Sequence, residues 1–339
     1  MTRIAIIGTG LIGTSIAMRL RQSERSRDIE VVGCDVSRDN ARAARPVFNA
    51  IENDARRAVR DAGLVVIATP IGAMREVMGD ISDRLEPGAV VTDTGSTKTR
   101  IMAWAAELLP STVTFVGGHP LAGKTESGPG NASASLFEGA RWVIVAPRRG
   151  DAQLALETVQ GLAAITGATP MYMDAEEHDA YVAAISHLPL MAATALFRLA
   201  RSSEAWPELS VLASSGFKDT TRLAGTDEGL AFDIAASNRE QLVHWLRRYR
   251  AELRDLEEAI DQAEPGEDLL RLFGQANVDY TAFRAGVVGR QEVDARGRAL
   301  ADVGMTDLLL GGNFAERLRQ LREAADRGED DRGRGEPRR

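Results

Sequence analysis

Short runs of apolar residues recur through the first half of the chain, each closed by glycine, proline or a polar residue. The runs span residues 4–7, 31–35, 64–68, 89–92, 113–116 and 141–146. Segments of this length and apolar character are typical of parallel strands that are buried on both faces. Helical patterns separate most of them, and strands that alternate with helices predict a doubly wound parallel α/β sheet.

The pattern changes after about residue 150, where apolar positions recur at helical spacing over long stretches. These stretches are about 152–165, 176–201, 207–215, 227–235, 238–262 and 266–284. The run from residue 175 to 201 is apolar on nearly all sides, so other helices or a partner subunit must cover it. We therefore predict a sheet domain at 1–150, an all-helical domain at 151–321 that forms a homodimer, and a charged tail at 322–339, which we expect to be disordered.

Composition narrows the class of protein. The chain has 339 residues, of which 44% are hydrophobic and 27% charged, as in a globular protein large enough for two domains. Its net charge of −8 is a poor match for nucleic acid or an anionic membrane. A single cysteine, no signal-peptide pattern and no apolar run long enough for a bilayer predict a cytoplasmic protein. We find no Cys/His cluster with metal-binding spacing and expect no metal.

A glycine-rich turn, Gly8-Thr9-Gly10-Leu11-Ile12-Gly13, joins the first predicted strand to a helical pattern. Its glycines permit a tight turn and let a pyrophosphate approach the backbone at a helix N-terminus. Asp35 ends the second strand, where a carboxylate can accept a hydrogen bond from a ribose 2′-hydroxyl. Thr69-Pro70 ends another strand at the edge where nicotinamide would lie. The pattern predicts dinucleotide binding, although a βαβ unit without a ligand is the alternative.

The charge at the second strand bears on which dinucleotide is bound. Asp35 would repel a 2′-phosphate, so we predict NAD. Arg38 lies close by in sequence and keeps NADP as an alternative.

The stretch from Gly117 to Gly128 follows the strand predicted at 113–116, and its glycines and proline predict a loop. Loops at strand ends are where open α/β sheets place their chemistry. His119 is therefore a candidate general base, since a neutral imidazole titrates near physiological pH. A turn histidine with a structural hydrogen bond is the alternative.

Five segments together resemble the prephenate/arogenate dehydrogenase family of tyrosine biosynthesis. They are the glycine-rich turn at 8–13, Asp-Thr-Gly-Ser-Thr-Lys at 93–98, Gly-His-Pro-Leu-Ala-Gly at 118–123, Ser-His-Leu-Pro at 186–189 and Gly-Phe-Lys-Asp-Thr-Thr-Arg-Leu-Ala at 216–224. The resemblance covers about residues 3–285. It implies a Rossmann-type domain, a helical dimerisation domain with the active site in the cleft between them, and NAD-dependent oxidative decarboxylation of prephenate or arogenate.

The resemblance also assigns roles to side chains. His119 would take the hydroxyl proton, Ser96 would share the hydrogen bond to that hydroxyl, and Arg222 would grip a carboxylate through its planar guanidinium. His187 would face the cleft from a helix kinked at Pro189. The alternatives are a helix N-cap for Ser96, a surface position for Arg222 and a buried core role for His187.

Lys124 and Thr125 follow the histidine segment, and the resemblance places them near the substrate side chain. We hypothesise that the positive charge of Lys124 favours prephenate, which carries one more net negative charge than arogenate. Pairing with Glu126, or exposure to solvent, is the alternative for Lys124. Leu190 stands where many members of the family have a second histidine, so the choice of substrate stays open.

Two other functions fit part of the pattern. A β-hydroxyacid or imine reductase also joins a Rossmann-type domain to a helical one and uses a lysine as proton donor, for which Lys218 is available. A non-enzymatic regulator that senses NAD(H) would explain the glycine-rich turn but not His119, Ser96 and Arg222 together. His178 and His244 lie in helical patterns outside these motifs, and the sequence assigns them no chemistry.

Overall fold

The computed structural model describes residues 2–23, 26–124, 126–147, 152–261 and 267–285. Its strands are β1 (Thr2–Ile7), β2 (Ile29–Cys34), β3 (Ala50–Glu52), β4 (Ala62–Ile67), β5 (Val90–Asp93), β6 (Thr114–Pro120), β7 (Arg141–Val145) and β8 (Thr169–Tyr172). They form one sheet in the order β3-β2-β1-β4-β5-β6-β7-β8. All neighbours are parallel except β6 and β7. The predicted α/β fold with a largely parallel sheet is confirmed.

The described residues also contain thirteen α-helices. They are α1 (Leu11–Gln22), α2 (Arg38–Ala44), α3 (Ala55–Ala58), α4 (Ile71–Ile81), α5 (Thr99–Leu108), α6 (Ala152–Ile165), α7 (Ala175–Val182), α8 (Leu188–Arg201), α9 (Trp206–Leu212), α10 (Ser215–Thr221), α11 (Glu228–Ser237), α12 (Arg239–Ile260) and α13 (Glu267–Arg284). The first six belong to the part of the chain that builds the sheet, and the other seven form the predicted helical region. Of these seven, only α10 lacks a counterpart among the predicted stretches.

The core lies on both faces of the sheet because the central strands are apolar on both sides. On β4, Val65 and Ile67 pack into one buried cluster, and Leu64 and Val66 pack into the other. Side chains alternate between the two faces of a strand, so an uninterrupted apolar run fills both layers. Each fully buried aliphatic side chain contributes about 1.5–3 kcal/mol of transfer free energy. The sheet is therefore a rigid support for the residues at its carboxyl edge.

Strand β6 is longer than the sequence predicts. Residues 117–120 continue the strand and pair antiparallel with β7, with His119 opposite Val143. The loop predicted from Gly117 to Gly128 is therefore wrong for its first four residues. The glycines serve close packing instead of a turn, because a Cβ on Gly118 would lie 2.4 Å from the backbone oxygen of Asp93. His119 is consequently held on a strand and not on a loop.

The sheet also extends past the predicted domain boundary near residue 150. Strand β8 pairs with β7, and α6 packs Ala155, Val159 and Leu162 into one of the two buried clusters. Because α6 and β8 share the core of the sheet, we propose that the sheet domain ends close to Tyr172. The boundary at residue 321 and the tail at 322–339 lie outside the described residues.

Helices α7 and α8 are joined by a π-helical turn, Ala183–His187. Pro189 lies just after this turn; it has no N–H to donate and its ring crowds the preceding turn, so a helical irregularity is expected here. Within the described residues, Ala175–Arg201 is the one helix long and apolar enough to cross a membrane by length and composition, although only 28% of its most apolar window is buried. The expectation that no apolar run has this length is therefore not met.

Candidate active site

The glycine-rich turn connects β1 to the N-terminus of α1. Gly8 has a φ of +100°, and a Cβ there would lie 2.4 Å from the backbone oxygen of Ala68. At Gly10, by contrast, a Cβ would meet no described atom within 4 Å, so open space lies over the turn. No side chain caps α1, and its first turn holds no acidic residue. The first N–H groups of α1 can therefore receive an anion, as a dinucleotide pyrophosphate requires.

Asp35 lies directly after β2 and ties the end of that strand to the glycine-rich turn. One carboxylate oxygen accepts the N–H of Thr9 at 2.8 Å and its hydroxyl at 3.1 Å, and the other accepts the N–H of Ser37 at 2.8 Å. A carboxylate offers about four lone-pair sites, so capacity remains for a ribose hydroxyl. The exposed Arg38 is close in sequence. Both features fit a dinucleotide at this edge of the sheet.

His119 occupies the penultimate position of β6 and is half-buried. Its Nδ1 lies 2.8 Å from Nε2 of His178 on α7, and the two rings are nearly perpendicular, at 80°. Nδ1 of His178 in turn lies 2.8 Å from Oδ1 of Asp179. His178 and Asp179 are both buried. The three side chains form a continuous hydrogen-bonded line from the sheet to the helical domain.

Asp179 also binds the start of α5. Its oxygens accept the backbone N–H of Lys98 at 2.7 Å and of Thr99 at 2.9 Å. These N–H groups have no partner within their own helix, so a residue of the helical domain caps a helix of the sheet domain. Burial acts to raise the pKa of Asp179, but the hydrogen bonds from His178, Thr99 and Lys98 together hold that pKa below its usual value. The carboxylate is therefore ionised at neutral pH.

A buried ion pair supports the backbone next to His119. Lys98 is fully buried, and its Nζ donates to the carboxylate of Asp93 and, at 2.6 Å, to the carbonyl of Gly118. Asp93 accepts the N–H of Gly118 at 3.0 Å and that of Gly95 at 2.8 Å. Burial lowers the pKa of Lys98, against the opposing effect of Asp93. The pair fixes the peptide group that precedes the candidate base.

The surroundings of His119 favour its neutral form. Desolvation is the largest cause that lowers its pKa well below 6.5, and electrostatic interactions with His178, Lys98 and His187 lower it further. A histidine with a lowered pKa is unprotonated at neutral pH and can accept a proton. This is the protonation state that a general base needs.

His187 is buried at the end of the π-helical turn, and burial lowers its pKa to about 4. Its Nδ1 lies 3.2 Å from Nδ2 of Asn238, which donates to the backbone oxygen of Asp179 at 2.7 Å. Asn238 has two amide hydrogens, so it can donate to both groups. The proton of neutral His187 then resides on Nε2, and His187 can act there as a hydrogen-bond donor.

Three buried polar atoms in residues singled out from the sequence have no hydrogen-bond partner among the described residues: Oγ of Ser96, Nε2 of His187 and Oγ1 of Thr69. Buried polar groups are nearly always paired, so an ordered water or a bound ligand is the expected partner of these atoms. Ser96 does not serve as the N-cap, because α5 begins at Thr99 with no side-chain cap. The alternative that we kept for Ser96 in the sequence analysis is therefore wrong.

Arg222 lies in the turn that follows α10 and is exposed. It makes no hydrogen bond or ion pair with any described residue, and no such contact joins it to His119. Helix α10 is held against its neighbours by Phe217, whose ring centroid lies 6.3 Å from that of Phe197 on α8 and 6.4 Å from that of Trp206 on α9. The aromatic cluster anchors the segment that presents the guanidinium.

The two remaining candidate substrate residues follow β6. Lys124 is exposed, and its Nζ donates to the backbone oxygen of Asn131 at 2.8 Å, so it braces its own loop. Thr125 lies outside the described residues. Neither observation assigns the loop to a substrate.

No sequence motif assigns a role to His178 or Asp179, yet both are hydrogen-bonded into the site. The feature of the sequence that could have identified these two residues is their polarity. Together with His187 they are the buried histidine and carboxylate residues of a run, residues 175–201, that is otherwise largely apolar. A buried charge is rarely found without a partner, so polar residues inside an apolar helix deserve a functional hypothesis.

Two protein-family models match the chain. A model of the prephenate dehydrogenase nucleotide-binding domain matches residues 16–172, and a model of the prephenate dehydrogenase dimerization domain matches residues 174–275. The prephenate dehydrogenase of Bacillus subtilis is 32% identical over 281 residues, which cover 82% of this chain and 74% of that protein. The cyclohexadienyl dehydrogenase of Zymomonas mobilis is 32% identical over 286 residues, covering 83% and 96%.

Solved structures agree with these matches. Prephenate dehydrogenase from Aquifex aeolicus in complex with hydroxyphenyl propionate and NAD+ has a TM-score of 0.75 at 27% identity, covering 84% of this chain and 98% of that one. The arogenate dehydrogenase of Synechocystis has a TM-score of 0.69 at 30% identity, covering 83% and 100%. The junction between the two matched domain models coincides with the end of β8.

Proposed function

This chain belongs to the prephenate dehydrogenase family, and we propose that it catalyses the NAD-dependent oxidative decarboxylation of prephenate or arogenate in tyrosine biosynthesis. The observation that carries the proposal is the environment of His119. A neutral imidazole lies at the carboxyl edge of the sheet, held through Nδ1 by His178, with the unpaired hydroxyl of Ser96 in the neighbouring segment. Family members that act on prephenate or on arogenate are similar in sequence to this chain, so the choice between the two substrates is left to experiment.

The residues divide the chemistry as follows. Bound NAD supplies the acceptor for the hydride that leaves the carbinol carbon. His119 takes the hydroxyl proton, with Ser96 sharing the hydrogen bond, so that a carbonyl forms at that carbon. His119 then returns the proton to the phenolate oxygen that arises when the ring carboxylate leaves as carbon dioxide and its electron pair enters the ring. One hydride is transferred, one proton is borrowed and returned, and charge balances.

Binding of the substrate carboxylates falls to the helical domain in this proposal. Arg222 is exposed and has no ion pair with any described residue, so its guanidinium is available for a bidentate grip. His187 offers an Nε2 hydrogen from the floor of the site. Gly8, Gly10, Leu11, Ile12 and Gly13 would hold the pyrophosphate of NAD, Asp35 its ribose, and Thr69 and Pro70 would lie beside its nicotinamide.

We also propose that the protein is a cytoplasmic homodimer. The model that matches residues 174–275 describes a dimerization domain. Exposed apolar side chains cover the helical region, among them Ile185 at 74% exposure and Leu199 at 72%. A second copy of the chain would remove this surface from water, which also accounts for the length and apolarity of the run 175–201 without a membrane.

The test is an assay of the purified chain with prephenate and with arogenate, each with NAD and with NADP. We expect NADH and carbon dioxide in equal amounts with at least one substrate, and a preference for NAD because of Asp35. Hydride transfer without carbon dioxide would support the reductase alternative. Cofactor binding with no turnover of either substrate would support the NAD(H)-sensing alternative.

The substrate preference can be assigned to one residue in the same assay. We propose that Lys124 favours prephenate, and Lys124→Ala should then lower the ratio of kcat/KM for prephenate to that for arogenate by about tenfold, which corresponds to about 1.4 kcal/mol. An unchanged ratio would mean that Lys124 serves its own loop, through Asn131, and not the substrate.

A further inference from the structure

We propose that His178 and Asp179 are positioning residues that hold His119 in one tautomer, with its hydrogen on Nδ1 and its lone pair on Nε2. The inference rests on the proposed function, in which His119 accepts the proton of the substrate hydroxyl. It adds two residues that no sequence motif in this chain assigned.

Asp179 determines which atoms donate and which accept along this row of hydrogen bonds. An ionised carboxylate can only accept hydrogen bonds, and this one already accepts the backbone N–H groups of Lys98 and Thr99. At the contact of 2.8 Å, Nδ1 of His178 must therefore be the donor. A neutral imidazole carries one hydrogen, so Nε2 of His178 presents a lone pair.

The contact between His178 and His119 then determines which nitrogen of His119 carries the hydrogen. Nε2 of His178 and Nδ1 of His119 are 2.8 Å apart, and one of the two must carry a hydrogen. We take His178 as neutral, so its Nε2 is the acceptor and Nδ1 of His119 is the donor. The lone pair of His119 is then on Nε2, which makes no hydrogen bond to any described residue. Because Nδ1 faces His178, Nε2 is directed away from His178 and remains available to a substrate hydroxyl.

The tautomer decides whether His119 can work at all. With its hydrogen on Nε2, the ring would offer a second donor to the substrate hydroxyl and could not take its proton. The same dependence is known from serine proteases, where losing the carboxylate that fixes the histidine tautomer lowers kcat by about 10⁴-fold. The line also fixes the ring plane, because His178 is itself held by the buried carboxylate of Asp179, which caps α5.

Other charged and titratable groups act on His119 from several elements. Lys98 lies in the turn before α5 and is neutralised by Asp93 on β5, while His187 faces from the π-helical turn and is bonded to Asn238. None of these groups is hydrogen-bonded to His119 in the described part of the chain. They influence its charge, whereas His178 alone contacts its ring nitrogen.

Two substitutions separate positioning from simple packing. The side-chain oxygen of glutamine reaches about as far as Nε2 of histidine, so His178→Gln keeps an acceptor for Nδ1 of His119. Asparagine reaches only about as far as Nδ1, so His178→Asn retains the contact with Asp179 but leaves His119 without an acceptor. We expect His178→Asn to lower kcat by about 10²–10³-fold with little change in KM, and His178→Gln to stay within about tenfold of wild type.

A second readout does not depend on turnover. The full-length chain contains four histidines, so 15N-histidine labelling and two-bond proton–nitrogen NMR can report each tautomer. His119 is assigned by the signal lost in His119→Asn. We expect Nδ1 protonation at His119 in the wild type and in His178→Gln, and a mixture of tautomers in His178→Asn, all measured between pH 7 and 8 in the free protein.

The outcomes are distinct. A wild-type His119 protonated on Nε2, or a doubly protonated His178 in this pH range, overturns the inference even if His178→Asn does not fold. Wild-type kcat and tautomer in His178→Asn overturn it as well. A wild type that converts neither prephenate nor arogenate contradicts the proposed function, while the NMR measurement still decides the tautomer.

Discussion

The part of the chain that builds the sheet and the helical region differ in how completely they bury their apolar side chains. Within the described residues, the part that builds the sheet, up to Tyr172, exposes three large hydrophobic side chains: Val36, Leu121 and Tyr172. The helical region beyond it exposes the other 21 of the 24 such residues. A sheet that is covered on both faces buries its apolar side chains within one chain. The helices leave apolar faces exposed, and such faces are typical of surfaces that bind a partner.

The candidate site draws on both parts and contrasts a buried network with an exposed residue. His119, the proposed proton acceptor, is held by a closed network: Lys98 and Asp93 fix the peptide before it, and His178 and Asp179 of the helical region fix its ring. Arg222, in contrast, stands exposed on the incompletely covered helical region. With the proposed roles, proton transfer depends on the buried network and substrate capture depends on the exposed helical surface. Substitutions in the first should therefore change kcat or folding, and those in the second should change KM or association.

The largest expected effect comes from the base itself. His119→Asn removes the proton acceptor and should lower kcat by about 10³–10⁴-fold while NADH binding, measured by fluorescence titration, stays within about threefold. His244→Asn, an exposed histidine of α12, is the matched control and should behave like wild type. A loss of less than tenfold in His119→Asn would mean that His119 is not the proton acceptor.

The wild-type pH profile tests the proposed role of His119 through its protonation state. Because the pKa of His119 is held well below 6.5, the neutral base is already present at that pH. As far as His119 determines the acid side of the profile, kcat/KM should stay level as pH falls to 6.5 and decline only below it. A midpoint at or above 6.5 would mean that the base is not desolvated as the structure indicates.

The next effect is on folding. Lys98→Met leaves the fully buried carboxylate of Asp93 without its counterion and should lower the free energy of unfolding by about 3–5 kcal/mol, read from urea denaturation. Arg75→Met is the control, since it breaks an exposed pair with Glu107 at 2.6 Å and should cost at most about 1 kcal/mol. Equal losses in the two variants would show that the buried network contributes no more than a surface pair.

A smaller effect is expected at the carboxylate grip. Arg222→Gln should lower kcat/KM by about 10²-fold, mainly through KM, because a charge-assisted bidentate contact is lost. Arg222→Lys keeps the charge without the planar fork and should recover only part of this loss. Arg60→Gln, at an exposed position in the sheet domain, is the control for charge and should leave KM unchanged. A loss confined to kcat would place Arg222 with the chemistry and not with capture.

Local patterns predicted most of the sheet. Five of the six apolar runs lie within two residues of a strand at both ends, because strands buried on two faces need no polar alternation. The extension of β6 through His119 and Pro120 was missed because antiparallel pairing with β7 overrides the turn preference of glycine and proline. Strand β8 was missed because four residues with a proline at an edge carry no periodic signal.

The sequence predicted only those candidate site residues that lie within a recognisable motif. His119, Ser96 and His187 each lie in a segment that resembles the family, so the sequence singled them out. His178 is 59 residues from His119, and Asp179 is 81 residues from the N–H of Lys98 that it caps. No local pattern encodes contacts at such separations. A buried histidine gives the same sequence pattern whether it only packs in the core or positions another side chain.

The last and smallest effect concerns association. Leu199→Asp places a charge on an exposed apolar position of α8 that we expect the partner subunit to cover, and it should raise the Kd of the dimer by about 10–100-fold, measured by analytical ultracentrifugation. Ala103→Asp adds the same charge to an exposed position of α5 and should leave the dimer intact. Since Leu199 is 72% exposed in the single chain, folding of the protomer should not change. A wild type that stays monomeric, or a Leu199→Asp dimer as tight as wild type, would mean that the exposed face of α8 serves another purpose and that the helical region does not depend on a second copy at this surface.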